Sequence, residues 1–440
     1  MTSSLNLMRE LIRNACVNDG SVASGQEVRS VTTLVEFFGV EGTIFEPAPG
    51  RQSLVYRVKG SVEGAPSLAL VPHLDVVPAD NDGWTVDPFR AEIIDGFVYG
   101  RGAVDMLNVA AALAFAVRPY LTGEKIPGGD LVFCAVADEE SGGSLGAVPL
   151  VEKSWDLVGA DYLLTEVAYP GLPVGDRRRI PVSVGEKGAY WSRLSATGTP
   201  GHGSAPYGSD NAIAKLASAL VGLFNTPTPA LIGDEWTVFA DSLNLDEEVV
   251  ERLKDVDSLD AAIDDIAVEN PSLASYVHAA THLTVSPNMV DGGTRSNVIP
   301  DRSGANLDIR ALPGMDRSFV ESHLHKAMGS AADLVEIEPI MDNPANTSPT
   351  GNRLWEAIAA GVEELEGHRE LVPTLMTVAT DARFWRARGT VCYGVGLFDD
   401  AMSFSEMLSL FHGHDERVSV ESVGRTTDLY IRVLDHFLSP

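Results

Sequence analysis

The chain has 440 residues, with 32 Lys and Arg against 62 Asp and Glu, so its formal net charge is −30 and its isoelectric point lies near 4.6. A surface this acidic repels nucleic acid and anionic membranes, so neither is expected as a partner. With 45% apolar and 21% charged residues the composition is that of a globular protein, and the length allows about three units of roughly 150 residues.

The longest apolar run, residues 109–117, is too short for a bilayer span, which takes about 18–20 residues. Residues 1–13 lack the basic start, apolar stretch and small-residue cleavage site of an export signal. Cys16, Cys134 and Cys392 lie far apart with no CxxC pair, so neither a disulfide framework nor a cysteine zinc site is readable. These features together predict a soluble, cytoplasmic protein.

In chain order, residues 68–71, 131–137 and 162–164 are short apolar runs bounded by Gly, Pro or Asp, the pattern of buried strands. Residues 103–120 and 147–155 between them have helical length and spacing, which predicts a doubly wound α/β unit with a mostly parallel sheet. The texture changes after Arg177-Arg178-Arg179. Residues 182–199 alternate like half-exposed strands, 211–224 form a helix, 241–270 are acidic, and 297–311 are strand-like again. A helix at 354–365, a strand at 391–395 and a helix at 420–437 complete the first pattern. The expected organisation is a catalytic unit built from residues 1–182 and 341–440, with an α+β unit inserted at 183–340.

Ligands of open α/β sheets bind beyond the carboxyl ends of the strands. Three of the expected strands run directly into metal-capable residues: Pro72-His73-Leu74-Asp75, Asp138-Glu139-Glu140 and Thr165-Glu166. Asp105 lies in Gly100-Arg101-Gly102-Ala103-Val104-Asp105 at a helix mouth, and His412 lies in His412-Gly413-His414-Asp415-Glu416. Each alone reads as a surface or core residue. Together, several carboxylates at one rim repel one another and need a cation to stay ionised, and imidazoles with carboxylates suit zinc, cobalt or manganese.

These motifs, with Thr199-Pro200-Gly201-His202-Gly203-Ser204 and Asn297-Val298-Ile299-Pro300, resemble the dinuclear zinc metallopeptidase family of aminoacylase, succinyl-diaminopimelate desuccinylase, glutamate carboxypeptidase and carboxypeptidase S. The resemblance runs through nearly the whole chain. It implies two zinc ions bridged by Asp105, one completed by His73 and Glu166, the other by Glu140 and His412. It also implies a hydroxide shared between the metals, Glu139 as general base, and Asp75 fixing the His73 tautomer. The inserted unit would serve as lid and dimerisation domain, with His202 reaching the partner's active site in a homodimer. Asn297, Arg310 and Arg383 match substrate-contacting positions, and Lys187 is a further candidate for the substrate carboxylate. The implied reaction is hydrolysis of an amide next to a free carboxylate, in an N-acyl amino acid or a short peptide.

Three departures qualify this. Asp105-Met106-Leu107-Asn108 stands where the family often has Asp-Met-Lys-Gly, and the residue lost is not a ligand. Gly185-Glu186-Lys187-Gly188 stands where desuccinylases carry a doubled arginine, so that subgroup is the alternative. His414 neighbours His412, but the family spacing selects His412. Two other readings stay open. Gly142-Gly143-Ser144-Leu145-Gly146 satisfies the G-x-S-x-G elbow of a serine hydrolase, although Asp138 to Ser141 intervene between strand and serine. An inactive relative that only binds a ligand is the other. His278 and His282, one helical turn apart without the zincin glutamate, read as surface residues.

Overall fold

The computed structural model describes residues 3–80, 82–175 and 177–439; the first two residues of the N-terminal segment considered above lie outside that set. A ten-stranded sheet forms the larger layer. Its centre is parallel: Leu131–Ala135, Leu68–Leu70, Tyr162–Thr165 and Val391–Gly394 lie side by side in that order. These strands are apolar and almost wholly buried, as strands covered on both faces must be. Antiparallel strands adjoin this centre on both sides. Thr43–Ala48 and Arg51–Val58 flank one side, and the long strand Arg177–Glu186 flanks the other. The sheet is therefore mixed, with a second parallel pair at its margin where Leu371–Met376 lies beside Arg177–Glu186.

The helix Leu107–Leu121 carries Ala, Leu and Val on nearly every face and is buried accordingly, packed between Ser4–Arg13 and Val420–Leu438. It starts later than the apolar text at 103 suggests. The amides of Gly102, Val104 and Asp105 donate to the Glu416 carboxylate, which holds the preceding turn out of the helix.

A second, five-stranded sheet is formed by Gly188–Ala189, Ser192–Thr197, Thr284–Gly292, Arg302–Ala311 and Glu336–Pro339. It has a core of its own with the helices Ala212–Asn225 and Arg317–Met328, around Leu216, Leu307, Ile309 and Leu324. The chain returns to the large sheet at Asn346–Thr347, which pairs with the end of Arg177–Glu186. The acidic stretch goes elsewhere. Residues 234–281 form four helices whose apolar sides, including Trp236, Phe239, Leu259, Ile263 and Tyr276, join the main core beside Tyr169 and Phe404. Its acids are spaced as the outward positions of amphipathic helices, and the apolar residues between them find the large core rather than the second sheet.

Among the described residues no helix is long and apolar enough to cross a membrane. Cys16, Cys134 and Cys392 are buried free thiols.

Candidate active site

Leu70 is in register with Phe133 on one side and Leu164 on the other, so the segments beyond these three strands emerge together. His73 lies just past the first, bridged to Val136. After the second, Asp138 turns the chain with φ +70°, and Glu139–Ser141 form a 3-10 turn. Glu166 directly follows the third. Asp105 reaches the same rim from the turn before Leu107–Leu121, and His412 from the loop after Phe404–Leu410.

Asp105 stands between two imidazoles. His73 Nε2 lies 3.1 Å from Asp105 Oδ1 and 3.5 Å from Glu166 Oε2. His412 Nε2 lies 3.3 Å from Asp105 Oδ2 and 3.3 Å from Glu140 Oε2. Donors on a tetrahedron with bonds of about 2.1 Å lie about 3.4 Å apart, so in each trio the two edges that meet at the histidine have the spacing of corners around one ion. The donor set fits two ions of the zinc type sharing Asp105. Glu139 is close as well: its carboxylate lies within 4.8 Å of donor atoms of His73 and Glu166.

The electrostatics agree with that fit. Burial pushes the carboxyls of Glu139 and Glu140 upward, with Glu166 and Asp105 respectively adding to it, and burial raises Glu166 to about 8. Burial alone would lower His73, but Glu166 and Asp105 outweigh it and hold the imidazole well above its ordinary range. Hydrogen bonds that its ring donates to Asp105 and Glu140 raise His412 to about 10. The cluster thus takes up protons where a cation would otherwise balance its charge.

Two buried assemblies hold these groups in place. Asp75 differs from its expected part: the His73 Nδ1 partner is the backbone oxygen of Asp75 at 3.0 Å, while the carboxylate Oδ1 is 3.7 Å away. That carboxylate instead accepts the amides of Glu139 and Glu140, at 3.2 Å each, and Asn18 Nδ2 at 2.8 Å. Asn18 Nδ2 also reaches Asp138 Oδ1 at 3.1 Å, and Arg51 pairs with both Asp138 (2.8 Å) and Glu27 (2.9 Å). On the other side, Glu416 accepts Arg101 Nη1 at 2.7 Å besides the three loop amides, and Arg101 Nη2 donates to the carbonyl of His412. Asp105 and His412 are thereby tied through one carboxylate. Asn18, Glu27 and Arg51 carry no local signal of this use, whereas Arg101 and Glu416 belong to motifs already quoted, without a role.

A cavity of about 530 Å³ opens over Asp105, Glu139, Glu140, Glu166 and His412. Arg310 and Arg383 line it. Arg310 Nε is bound by Asp308 at 2.7 Å, and Trp191, also in the wall, donates to the same Asp308 oxygen at 2.8 Å. Arg383 Nη1 donates to the Thr380 carbonyl, and its Nε has no hydrogen-bond partner among the described residues. Lys187 is not at the cavity. It lies buried behind the crossover between the sheets, its Nζ 2.7 Å from the carbonyls of Ala279 and His282, because the short step from Glu186 to Gly188 turns its side chain inward.

His202 and Asn297 come together, but away from the cavity lining. The ribbon pairs Gly201–His202 with Val298–Ile299, and the amide of Gly203 donates to the Asn297 carbonyl at 2.8 Å, leaving both residues exposed. Ser144 has no histidine hydrogen-bonded to it among the described residues: its hydroxyl donates to Asp138, whose carboxylate is already bound to Arg51, an arrangement unlike a nucleophile and base. His282 is buried rather than superficial, stacked on His278 with ring centroids 4.3 Å apart and paired with Asp260.

Among curated proteins, the chain is 28% identical to succinyl-diaminopimelate desuccinylase of Rhodospirillum centenum over 437 residues, covering 98% of this chain and 97% of the relative. It is also 28% identical to aminoacylase-1 of Homo sapiens over 399 residues, covering 88% and 84%. Among solved structures, an M20 family metallo-carboxypeptidase from Sulfolobus solfataricus shares the fold with a TM-score of 0.73 at 19% identity, over 99% of both chains. The sequence model of peptidase family M20/M25/M40 matches residues 69–436, a span that contains His73, Asp105, Glu139, Glu140, Glu166 and His412, and the chain belongs to that family.

Proposed function

We propose that the protein is a metal-dependent amidohydrolase that cleaves an amide next to a free carboxylate, in an N-acyl amino acid or a short peptide. The observation that carries this reading is Asp105, with each carboxylate oxygen facing a different histidine and a further glutamate completing each side. Zinc ions held there, with cobalt or manganese as substitutes, supply Lewis acidity that activates water and polarises the scissile carbonyl. Glu139 lines the cavity beside these groups and is the base that takes the proton of the attacking water and passes it to the leaving nitrogen. Asp75 fixes that glutamate through its backbone amide. Arg310 and Arg383 take the substrate carboxylate, as guanidinium forks suit it.

A homodimer belongs to the same reading. His202 is exposed and does not line its own cavity, which leaves it free to serve a second copy by donating to the charge that develops on the carbonyl oxygen. The same unit exposes Met289 (65%) and Val290 (67%) on the strand Thr284–Gly292, with Phe224 (73%) on the helix Ala212–Asn225. Three buried unpaired thiols suit a cytoplasmic setting.

The test is hydrolysis of N-acetyl amino acids, N-succinyl-diaminopimelate and dipeptides before and after chelation, and with a serine-directed phosphonate. Turnover lost to chelation, restored by zinc or cobalt and indifferent to the phosphonate is expected. Phosphonate inhibition with chelation harmless would overturn the reading.

A further inference from the structure

A second space lies directly beside the cavity. Thr377 and Leu408 line the cavity and also line a groove of about 380 Å³ that runs between the helices Pro271–Thr281 and Phe404–Leu410. Thr377 and Leu408 thus stand between the two spaces. The banks of the groove are held at a set distance. Asn270 at the start of Pro271–Thr281 donates from Nδ2 to Ser405 Oγ at 2.9 Å, and Tyr276 Oη donates to the Leu375 carbonyl at 3.2 Å. Below them Tyr276, Phe404 and the cavity residue Tyr169 pack as one aromatic wall, with centroids 5.0–6.4 Å apart.

The lining chemistry is distinctive in a chain with 62 acidic residues. Pro271, Ser272, Ser275, Tyr276, Ala279 and Ser409 line the groove with Thr377 and Leu408, and among the described residues no charged side chain lines it. The arginines of the site, Arg310 and Arg383, line only the cavity. A carboxylate entering the groove would lose hydration without gaining a partner. An uncharged chain would cover its carbons against Pro271, Tyr276, Ala279 and Leu408 without stripping water from a charge.

We propose that this groove is an extension of the substrate site that takes an uncharged acyl arm longer than acetyl, while the carboxylate of the same substrate stays with the arginines. The inference rests on the amidohydrolase reading for the direction of the substrate, but the groove and its chemistry stand apart from catalysis. It also separates two acyl groups of nearly equal size, because butanoyl fits the groove and succinyl carries a charge into it.

The experiment uses zinc-loaded protein and one amino acid acylated with acetyl, butanoyl, octanoyl or succinyl groups. We expect kcat/KM to rise from acetyl to octanoyl by up to about fourfold per buried methylene. Succinyl is expected about tenfold or more below butanoyl, for want of a partner charge. The octanoyl-to-acetyl ratio should collapse in Ala279→Trp and in Ser275→Trp, which fill the groove from one bank at two positions. Because the ratio is taken within each protein, a general loss of folding does not mimic this result. A rate independent of chain length, succinyl equal to or better than butanoyl, or an unchanged ratio in both variants would overturn the proposal.

Calorimetric binding of the octanoyl and acetyl compounds to Glu139→Gln gives the readout that turnover does not. Preferential octanoyl binding that Ala279→Trp removes, with no hydrolysis by the parent protein, would keep the groove and remove the amidohydrolase reading. Hydrolysis without any chain-length preference in rate or binding would do the reverse.

Discussion

Replacing Arg51 by methionine strips one of the buried supports of the active-site turn. The guanidinium is 1% exposed and bonds Glu27 through Nε and Nη2, Asp138 through Nη2 at 2.8 Å and the Ser21 carbonyl through Nη1. The two carboxylates are left in unequal positions. Asp138 keeps Asn18, the Ser144 hydroxyl and the Leu145 amide, whereas Arg51 is the side chain that bonds the Glu27 carboxylate. Removing one member of a buried ion pair costs about 3–5 kcal/mol, and most of that should reside in the stranded Glu27. Urea unfolding followed by tryptophan fluorescence should therefore show Arg51→Met less stable by about that amount. Arg51→Met with Glu27→Leu should recover a large part of the loss, because both charges then leave together. A loss under about 1 kcal/mol, or a double variant as unstable as the sum of the singles, would refute the assignment of the cost to Glu27.

Other expectations follow from the same geometry. Glu139→Gln should lower kcat by about 10²–10⁴-fold while metal analysis finds the ions still bound, since the residue is a base and not a ligand in this account. Glu416→Gln should weaken metal affinity by about 10–100-fold in a chelator competition, because the carboxylate that ties the Asp105 turn to Arg101 and the His412 loop loses its charge. Burial lowers the Lys187 ammonium from 10.5 to about 7, so the unfolded chain holds this proton more tightly across that interval. The contribution of Lys187 to stability is then present above pH 10.5 and lost as pH falls toward 7, and unfolding of wild type against Lys187→Met should show a difference that grows with pH by up to about 1.4 kcal/mol per unit. Mixing His202→Ala with Glu139→Gln protein should restore part of the activity missing from each, as one hybrid site in the dimer then has an intact base and an intact histidine; no restoration would place His202 outside catalysis.

What could be read from the sequence was whatever local pattern encodes. Short apolar runs at 68–71, 131–137 and 162–164 announce buried parallel strands because a strand covered on both faces has no polar alternation, and the ligands follow directly from the strand ends. The helix at 420–437 was equally legible from its amphipathic spacing. Long-range partners were not. Asn18 meets Asp75 and Asp138 across 57 and 120 residues of chain, and nothing near Asn18 encodes that meeting. Lys187 was expected at the cavity because a cation near a substrate carboxylate is sensible chemistry, but its direction is set by the crossover between two sheets. The acidic stretch at 241–270 reads as part of the inserted unit by its position in the chain, and amphipathic spacing states that a face will be buried, not which core will bury it.

The central claim is that Asp105 joins two metal sites in one chain. The most direct measurement is elemental analysis of purified protein loaded with zinc and freed of excess, in parallel with Asp105→Ala, with turnover of an N-acyl amino acid recorded on the same samples. The account predicts two zinc ions per chain, activity that disappears on chelation and returns with zinc, and loss of both metal and activity in Asp105→Ala. Full activity in protein that binds no metal, or two ions retained by Asp105→Ala, would contradict it.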